Sequence, residues 1–105
     1  MPGTVGTASH DDEHLWCVHI HVHGRVQGVG YRAFAVTAAR RRGCRGFVRN
    51  ASQRTTVAIV AEGTRQSLEL LLTDLQRGPA RARVARLDAL WDVATNAFEG
   101  FVVQR

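Results

Sequence analysis

The sequence predicts a ferredoxin-like α/β sandwich, an α+β fold in which two helices cover one face of an antiparallel sheet. Three observations support this prediction: an early segment with period-two apolar alternation, two segments with helical periodicity, and short β-branched segments around them. The predicted elements follow the order βαββαβ with a short additional C-terminal strand. The chain has 105 residues, of which 45% are hydrophobic, which is enough for one compact domain.

The first strand is predicted to begin near Leu15, where apolar residues start to alternate with cysteine and histidine. The alternation stops at Gly24, and apolar residues then recur at helical spacing over residues 31–42. Arginines fill the last turn of this helix, where the helix dipole favours cations. Gly43 is suited to end the helix because glycine readily adopts a left-handed conformation.

A hairpin and a second helix are predicted next. Two short strands, residues 47–50 and 55–61, are joined by a turn at residues 51–54 that lacks glycine. Thr64 is placed to cap the second helix, and the Gly78-Pro79 pair ends it. The leucines of this helix form one apolar stripe that indicates a core-facing side: Leu68, Leu71, Leu72 and Leu75.

The C-terminal part predicts a long strand followed by a short one. The alternation of apolar residues shifts phase between Val84 and Leu87, which indicates a β-bulge in the long strand. A final short strand is expected over residues 98–103.

The predicted domain, residues 15–105, is more basic than the whole chain. The formal net charge is +5, yet this part holds all 14 arginines and six of the nine acidic residues. Its charge favours an anionic partner, either nucleic acid or a small phosphorylated or carboxylated substrate. Residues 1–14 show no periodicity and no signal-peptide pattern, so we expect a flexible tail on a cytoplasmic protein that binds no membrane.

The junction between the first strand and the first helix gives the clearest functional signal. A helix N-terminus has unpaired N–H groups and a partial positive charge, so acidic or hydroxyl caps are usual there. This junction instead has Gly28-Val29-Gly30 and then Arg32, whose charge the amides repel unless an anion lies between them. We interpret the segment as a cradle for a phosphate-sized group; a tight turn with a solvated arginine is the alternative.

Two motifs resemble the signatures of the acylphosphatase family. The first motif is Gly24-Arg25-Val26-Gln27-Gly28-Val29-Gly30-Tyr31-Arg32, and the second is Gly43-Cys44-Arg45-Gly46-Phe47-Val48-Arg49-Asn50. The resemblance covers about residues 15–105. It implies a small ferredoxin-like hydrolase that cleaves the carboxyl–phosphate bond of small-molecule acyl phosphates without a metal or other cofactor, with inorganic phosphate as product and inhibitor.

The resemblance also implies roles for individual residues. Arg32 would bind the phosphate, and Asn50 would orient the attacking water. The cradle would consist of the backbone amides of Gln27, Gly28, Val29, Gly30 and Tyr31. The family usually follows its asparagine with a tight Asp-Gly turn, whereas residues 51–55 lack glycine, so we expect a slack hairpin loop.

Acyl phosphate chemistry is consistent with the absence of a catalytic carboxylate pair. The leaving group is a carboxylate whose conjugate acid has a pKa of about 4, so no general acid is needed at neutral pH. The protein mainly has to position the water and stabilise charge, two tasks that suit Asn50 and Arg32.

Other interpretations concern RNA and metals. An RNA-recognition module shares the element order, and Arg45-Gly46-Phe47-Val48 begins like an RNA-binding motif, but the aromatic residues that should follow are missing. A regulatory domain without activity would leave Arg32 and Asn50 unexplained. His19, His21 and His23 share a strand face that resembles a zinc site, although a solvated face is the simpler interpretation. We therefore expect a monomeric hydrolase with no metal and no nucleic acid partner.

Overall fold

The structure, a computed structural model, describes residues 14–105 and has the predicted order of elements. The strands are β1 (Leu15–Arg25), β2 (Arg45–Asn50), β3 (Thr56–Thr64), β4 (Arg83–Val93) and β5 (Phe101–Val103), and the helices are α1 (Tyr31–Arg41) and α2 (Arg65–Arg77). The strands form one sheet in the order β4-β1-β3-β2-β5. The predicted tail lies outside the described residues except for His14.

The sheet is mixed, and not wholly antiparallel as predicted. Strands β1, β2, β3 and β4 pair antiparallel, but β5 runs parallel to β2. The path of the chain after β4 explains the direction of β5. The strand β4 ends beside the start of β1, at the end of the sheet where β2 also begins. The chain then crosses to the free edge of β2 and enters the sheet from that end, so β5 must run in the direction of β2.

Both helices pack on one face of the sheet and share one hydrophobic core with it. Three of the four leucines of the predicted stripe are completely buried, and Leu72 packs beside them. Tyr31 joins the two helices, because its hydroxyl donates a 2.7 Å hydrogen bond to the carbonyl of Leu75. As predicted, Thr64 caps α2, its Oγ1 accepting a 3.1 Å hydrogen bond from the amide of Ser67.

The predicted bulge is confirmed. His23 pairs with Arg86 and Gly24 pairs with Val84, which leaves Ala85 as the extra residue of β4. Gly24 has a φ of 139°, and a Cβ atom there would lie 2.1 Å from the carbonyl oxygen of Arg83. Glycine is therefore required at the point where the long strand turns toward the first helix.

Some element boundaries differ from the prediction. The strand β3 begins at Thr56 instead of residue 55, because Thr55 belongs to a turn that the amide of Thr56 closes with a 3.1 Å hydrogen bond to the carbonyl of Gln53. The strand β5 is shorter than residues 98–103, since Phe98 leaves the sheet edge and packs its ring against Phe47, 5.9 Å between centroids. The helix α1 ends one residue early, with Arg42 as its C-cap and Gly43 following at a φ of 73°.

The two cysteines, Cys17 and Cys44, are buried and unpaired. Burial raises the pKa of each thiol to about 11, so both are protonated at neutral pH. Neither helix of residues 14–105 is long and apolar enough to cross a membrane.

Candidate active site

The segment between β1 and α1 curls into a loop with two glycines in the left-handed region. Gly28 has a φ of 76° and Gly30 a φ of 81°, values at which a side chain strains the backbone. No other heavy atom lies within 4 Å of the position a Cβ would take at either residue. Glycine is thus needed here for the backbone conformation and not for room. Gly30 is the N-cap of α1, where it offers no side chain to the first-turn amides.

The amides of this loop are free to bind a ligand. None of the backbone amides of residues 27–33 donates a hydrogen bond to another group of the described chain. The first turn of α1 holds no acidic residue, and within residues 14–105 the guanidinium of Arg32 has no hydrogen-bond or ion-pair partner. Free donors, the positive end of a helix dipole and an unpaired guanidinium together suit an anion.

A cavity of about 270 Å³ lies in front of these groups. It is lined by Val26, Gly28, Gly30, Tyr31, Arg32, Ala33, Val103 and Arg105. The structure therefore brings together the predicted glycines and Arg32, and it adds the end of β5 as an opposite wall. The lining includes Arg105, a residue that the sequence patterns did not point to.

The side chains of Val29 and Tyr31 belong to the hydrophobic core. Val29 is 8% exposed and Tyr31 is 1% exposed. Burial raises the pKa of Tyr31 well above its ordinary value, so its hydroxyl stays a neutral donor to α2. Both residues anchor the loop and can offer a ligand only backbone amides, the role that the resemblance implied for them.

Asn50 ends β2 and is paired in the sheet with Val57. Its Oδ1 is the one buried side-chain polar atom among the described residues that has no hydrogen-bond partner. Leaving such an atom unpaired costs about 1–3 kcal/mol, so it indicates an acceptor kept for a ligand or a bound water. Asn50 does not line the cavity in front of Arg32; the hairpin that follows it contacts the cradle loop instead.

The side chain of Gln27 makes that contact, and sequence reasoning missed it by assigning Gln27 a backbone role alone. Its Nε2 donates toward the carbonyls of Ala51 (3.4 Å), Gln53 (2.9 Å) and Thr56 (2.8 Å). The expectation of a slack loop was wrong, because these bonds and a 2.9 Å hydrogen bond from the amide of Gly24 fasten the hairpin to the cradle loop. A long polar side chain inside an otherwise small and apolar turn was the available signal.

Two of the three histidines of β1, His19 and His23, contact neighbouring polar groups. His23 contacts Thr56 Oγ1 through Nδ1 (3.1 Å) and Asp88 Oδ2 through Nε2 (3.0 Å). His19 lies 3.6 Å from the thiol of Cys17. Over the described range, no three or more His, Cys, Asp or Glu side chains are grouped so as to hold a metal ion.

The fold and the cradle define a class: a small α+β domain suited to bind an anion at a helix N-terminus. The acylphosphatase family model matches residues 18–103. The chain is 46% identical over 88 residues to an acylphosphatase of Salinibacter ruber, covering 84% of this chain and 92% of that protein. It is 48% identical over 83 residues to an acylphosphatase of Cupriavidus pinatubonensis, covering 79% and 89%.

Solved structures agree with these relatives. The acylphosphatase of Bacillus subtilis superposes with a TM-score of 0.82 at 28% identity, covering 86% of this chain and 99% of that one. The acylphosphatase of Coxiella burnetii superposes with a TM-score of 0.80 at 30% identity, covering 88% and 95%. The chain therefore belongs to the acylphosphatase family. It is an enzyme that hydrolyses acyl phosphates to a carboxylate and inorganic phosphate.

Proposed function

We propose that this hydrolysis needs no metal or other cofactor and uses the cradle, Arg32 and Asn50. The phosphoryl group lies against the backbone amides of residues 27–31. Arg32, in the first turn of α1, places its planar guanidinium on two phosphoryl oxygens at once, which a lysine cannot do. These donors are fixed before the substrate arrives, so they stabilise the charge on the phosphoryl oxygens without reorganising in the transition state.

The water is positioned by Asn50, and the buried unpaired Oδ1 is the observation that carries this proposal. The oxygen accepts a hydrogen bond from the water, whose lone pair is thereby turned toward phosphorus. Attack forms the new phosphorus–oxygen bond and breaks the bond to the acyl oxygen, which leaves as a carboxylate. A phosphoryl oxygen accepts the proton of the water, so no protein acid or base takes part.

We infer further that the enzyme is a cytoplasmic monomer that acts on small-molecule acyl phosphates and binds neither nucleic acid nor membranes. Inorganic phosphate, the product, competes with substrate for the cradle. One chain supplies every group used in the mechanism, which supports a monomer. Phe47, the aromatic residue of the RNA-like motif, packs against Phe98 in the same chain instead of presenting a free stacking face.

The test is hydrolysis of a synthetic aryl acyl phosphate, followed by ultraviolet absorbance, with and without EDTA. We expect the same rate in both conditions and competitive inhibition by inorganic phosphate, because amides and Arg32 supply the electrostatic stabilisation. A rate lost in EDTA and restored by zinc would contradict metal independence and would direct attention to His19, His21 and His23.

A further inference from the structure

We propose that the side chain of Gln27 is a positioning residue, which holds the hairpin of residues 51–56 against the cradle and so places Asn50 relative to the phosphoryl group. This inference rests on the proposed role of Asn50. It gives Gln27 two functions: its backbone amide belongs to the cradle, while its carboxamide fixes the element that carries the water-orienting residue.

The geometry of the carboxamide supports this role. All three partners of Gln27 are backbone carbonyls, which only accept hydrogen bonds, so the group that faces them must be the NH2 end. Its two hydrogens match the two short contacts, 2.9 Å to Gln53 and 2.8 Å to Thr56. Ala51 at 3.4 Å is the weakest partner. One side chain thereby joins both arms of the hairpin.

The contacts lie next to Asn50 in the chain and in the ladder. Ala51 follows Asn50 directly, and the amide of Ala51 donates a 3.1 Å hydrogen bond to the same Thr56 carbonyl that Gln27 contacts. The hairpin loop has no glycine with which to close a tight turn of its own. Besides the loop's own hydrogen bond from the amide of Thr56 to the carbonyl of Gln53, 3.1 Å, the hydrogen bonds from Gln27 help to fix the shape at its base.

The role predicts a specific kinetic signature. An attacking water that is misplaced by about 1 Å can cost roughly a hundredfold in rate, whereas the amides and Arg32 that hold the phosphate stay in place. Removing the carboxamide of Gln27 should therefore lower kcat and leave phosphate affinity almost unchanged. A residue that merely stabilised the loop would change both together, or neither.

A double-mutant cycle tests this inference with the four proteins wild type, Gln27→Ala, Asn50→Ala and the double variant. We expect Gln27→Ala to lower kcat about ten- to a hundredfold with the phosphate inhibition constant within about threefold of wild type. In the Asn50→Ala background, Gln27→Ala should cost almost nothing further, because the group it positions is gone. Two independent, multiplicative losses would overturn the proposal.

Two further variants distinguish the loss of the Gln27 hydrogen-bond donor from the effect of any substitution in this region. Gln27→Glu keeps the shape but faces three carbonyls with a carboxylate, so we expect kcat at least as low as in Gln27→Ala. Ser52→Ala is the matched control: the side chain of Ser52 lies in the same loop, is exposed, and has no hydrogen-bond partner among the described residues. It should keep wild-type kcat, and a loss equal to that of Gln27→Ala would contradict the proposal.

Hydrogen exchange provides a readout that does not depend on catalysis. In Gln27→Ala, the amide of Ala51, which bonds to Thr56, should exchange at least about tenfold faster, while amides of α2 keep their rates. Unchanged exchange of Ala51 would overturn the positioning role. If Asn50→Ala keeps wild-type turnover, the proposed role of Asn50 fails instead, and the exchange result still decides whether Gln27 holds the hairpin.

Discussion

Polar groups at the two ends of the central strands differ in whether they have hydrogen-bond partners within the protein. Near the start of β1 and β2, the carboxylate of Glu62 is 1% exposed and fully paired. It accepts bonds from the amide and hydroxyl of Thr95, both 2.8 Å, and from the amide of Asn96, 2.9 Å. At the other end of the same strands, Asn50 Oδ1 and Arg32 have no partner in the described part of the chain.

We propose that this difference separates stability from function. The Glu62 end uses its polar groups to fix the loop after β4, including Asn96, whose φ of 58° lies in the left-handed region. At the end with the cradle, Asn50 Oδ1 and Arg32 have no partner among the described residues, which costs stability and leaves both groups available to a ligand. Variants at the first end should therefore affect unfolding, and variants at the second end should affect turnover.

The largest effect is expected for Arg32→Lys. Lysine keeps the charge but loses the planar fork, so kcat should fall at least about a hundredfold and phosphate should bind more weakly. The free energy of unfolding should be unchanged, because Arg32 has no partner within residues 14–105 to lose. Arg25→Lys, an exposed arginine of the same signature, is the control; if it were the slower variant, Arg25 would hold the phosphoryl group.

Glu62→Gln should show the opposite pattern. An amide cannot accept all three hydrogen bonds, so we expect the free energy of unfolding, measured in urea, to fall by about 1–3 kcal/mol. The kcat should remain within about twofold of wild type. Glu69→Gln removes an exposed carboxylate paired with Arg65 at 3.2 Å and should change stability by less than about 0.5 kcal/mol. A large loss of turnover in Glu62→Gln would contradict the separation of the two ends.

The stabilisation that the Glu62 carboxylate contributes should also depend on pH, and this effect is expected to be smaller. Burial by itself raises the pKa of Glu62, but the hydrogen bonds from Thr95 and Asn96 outweigh it, so the pKa lies below the ordinary 4.5. The folded state thus favours the charged form, and this stabilisation is present above pH 4.5 and is lost as the pH falls through the folded pKa. The stability difference between wild type and Glu62→Gln should accordingly shrink below pH 4.5. A constant difference down to pH 3 would show that the charge contributes nothing.

Much of the fold was predictable because its determinants are local. The alternation in β1, the Thr64 cap and the phase shift that marks Ala85 are all patterns of near neighbours in sequence. The direction of β5 was not predictable in this way, because it depends on which end of the sheet the chain reaches after β4. The same holds for Glu62, whose partners lie 33 and 34 residues away.

The candidate site was predictable in its parts but not in its assembly. Gly28, Gly30 and Arg32 stand out because a helix N-terminus without a cap is unusual. Asn50 came from the family resemblance, and nothing local shows that its Oδ1 is buried and unpaired. The contact of Gln27 with the hairpin joins residues 24–29 positions apart, so it became visible only in the fold.

In the proposed mechanism, Asn50 orients water while the cradle and Arg32 bind phosphate. The most direct measurement is kcat and the phosphate inhibition constant on the same Asn50→Ala protein, with Ser52→Ala as an exposed control from the same loop. We predict that kcat falls at least about a hundredfold while the inhibition constant stays within about threefold and the protein remains folded. If phosphate affinity fell as steeply as kcat, Asn50 would be a phosphate-binding residue and the water-orienting role would be wrong.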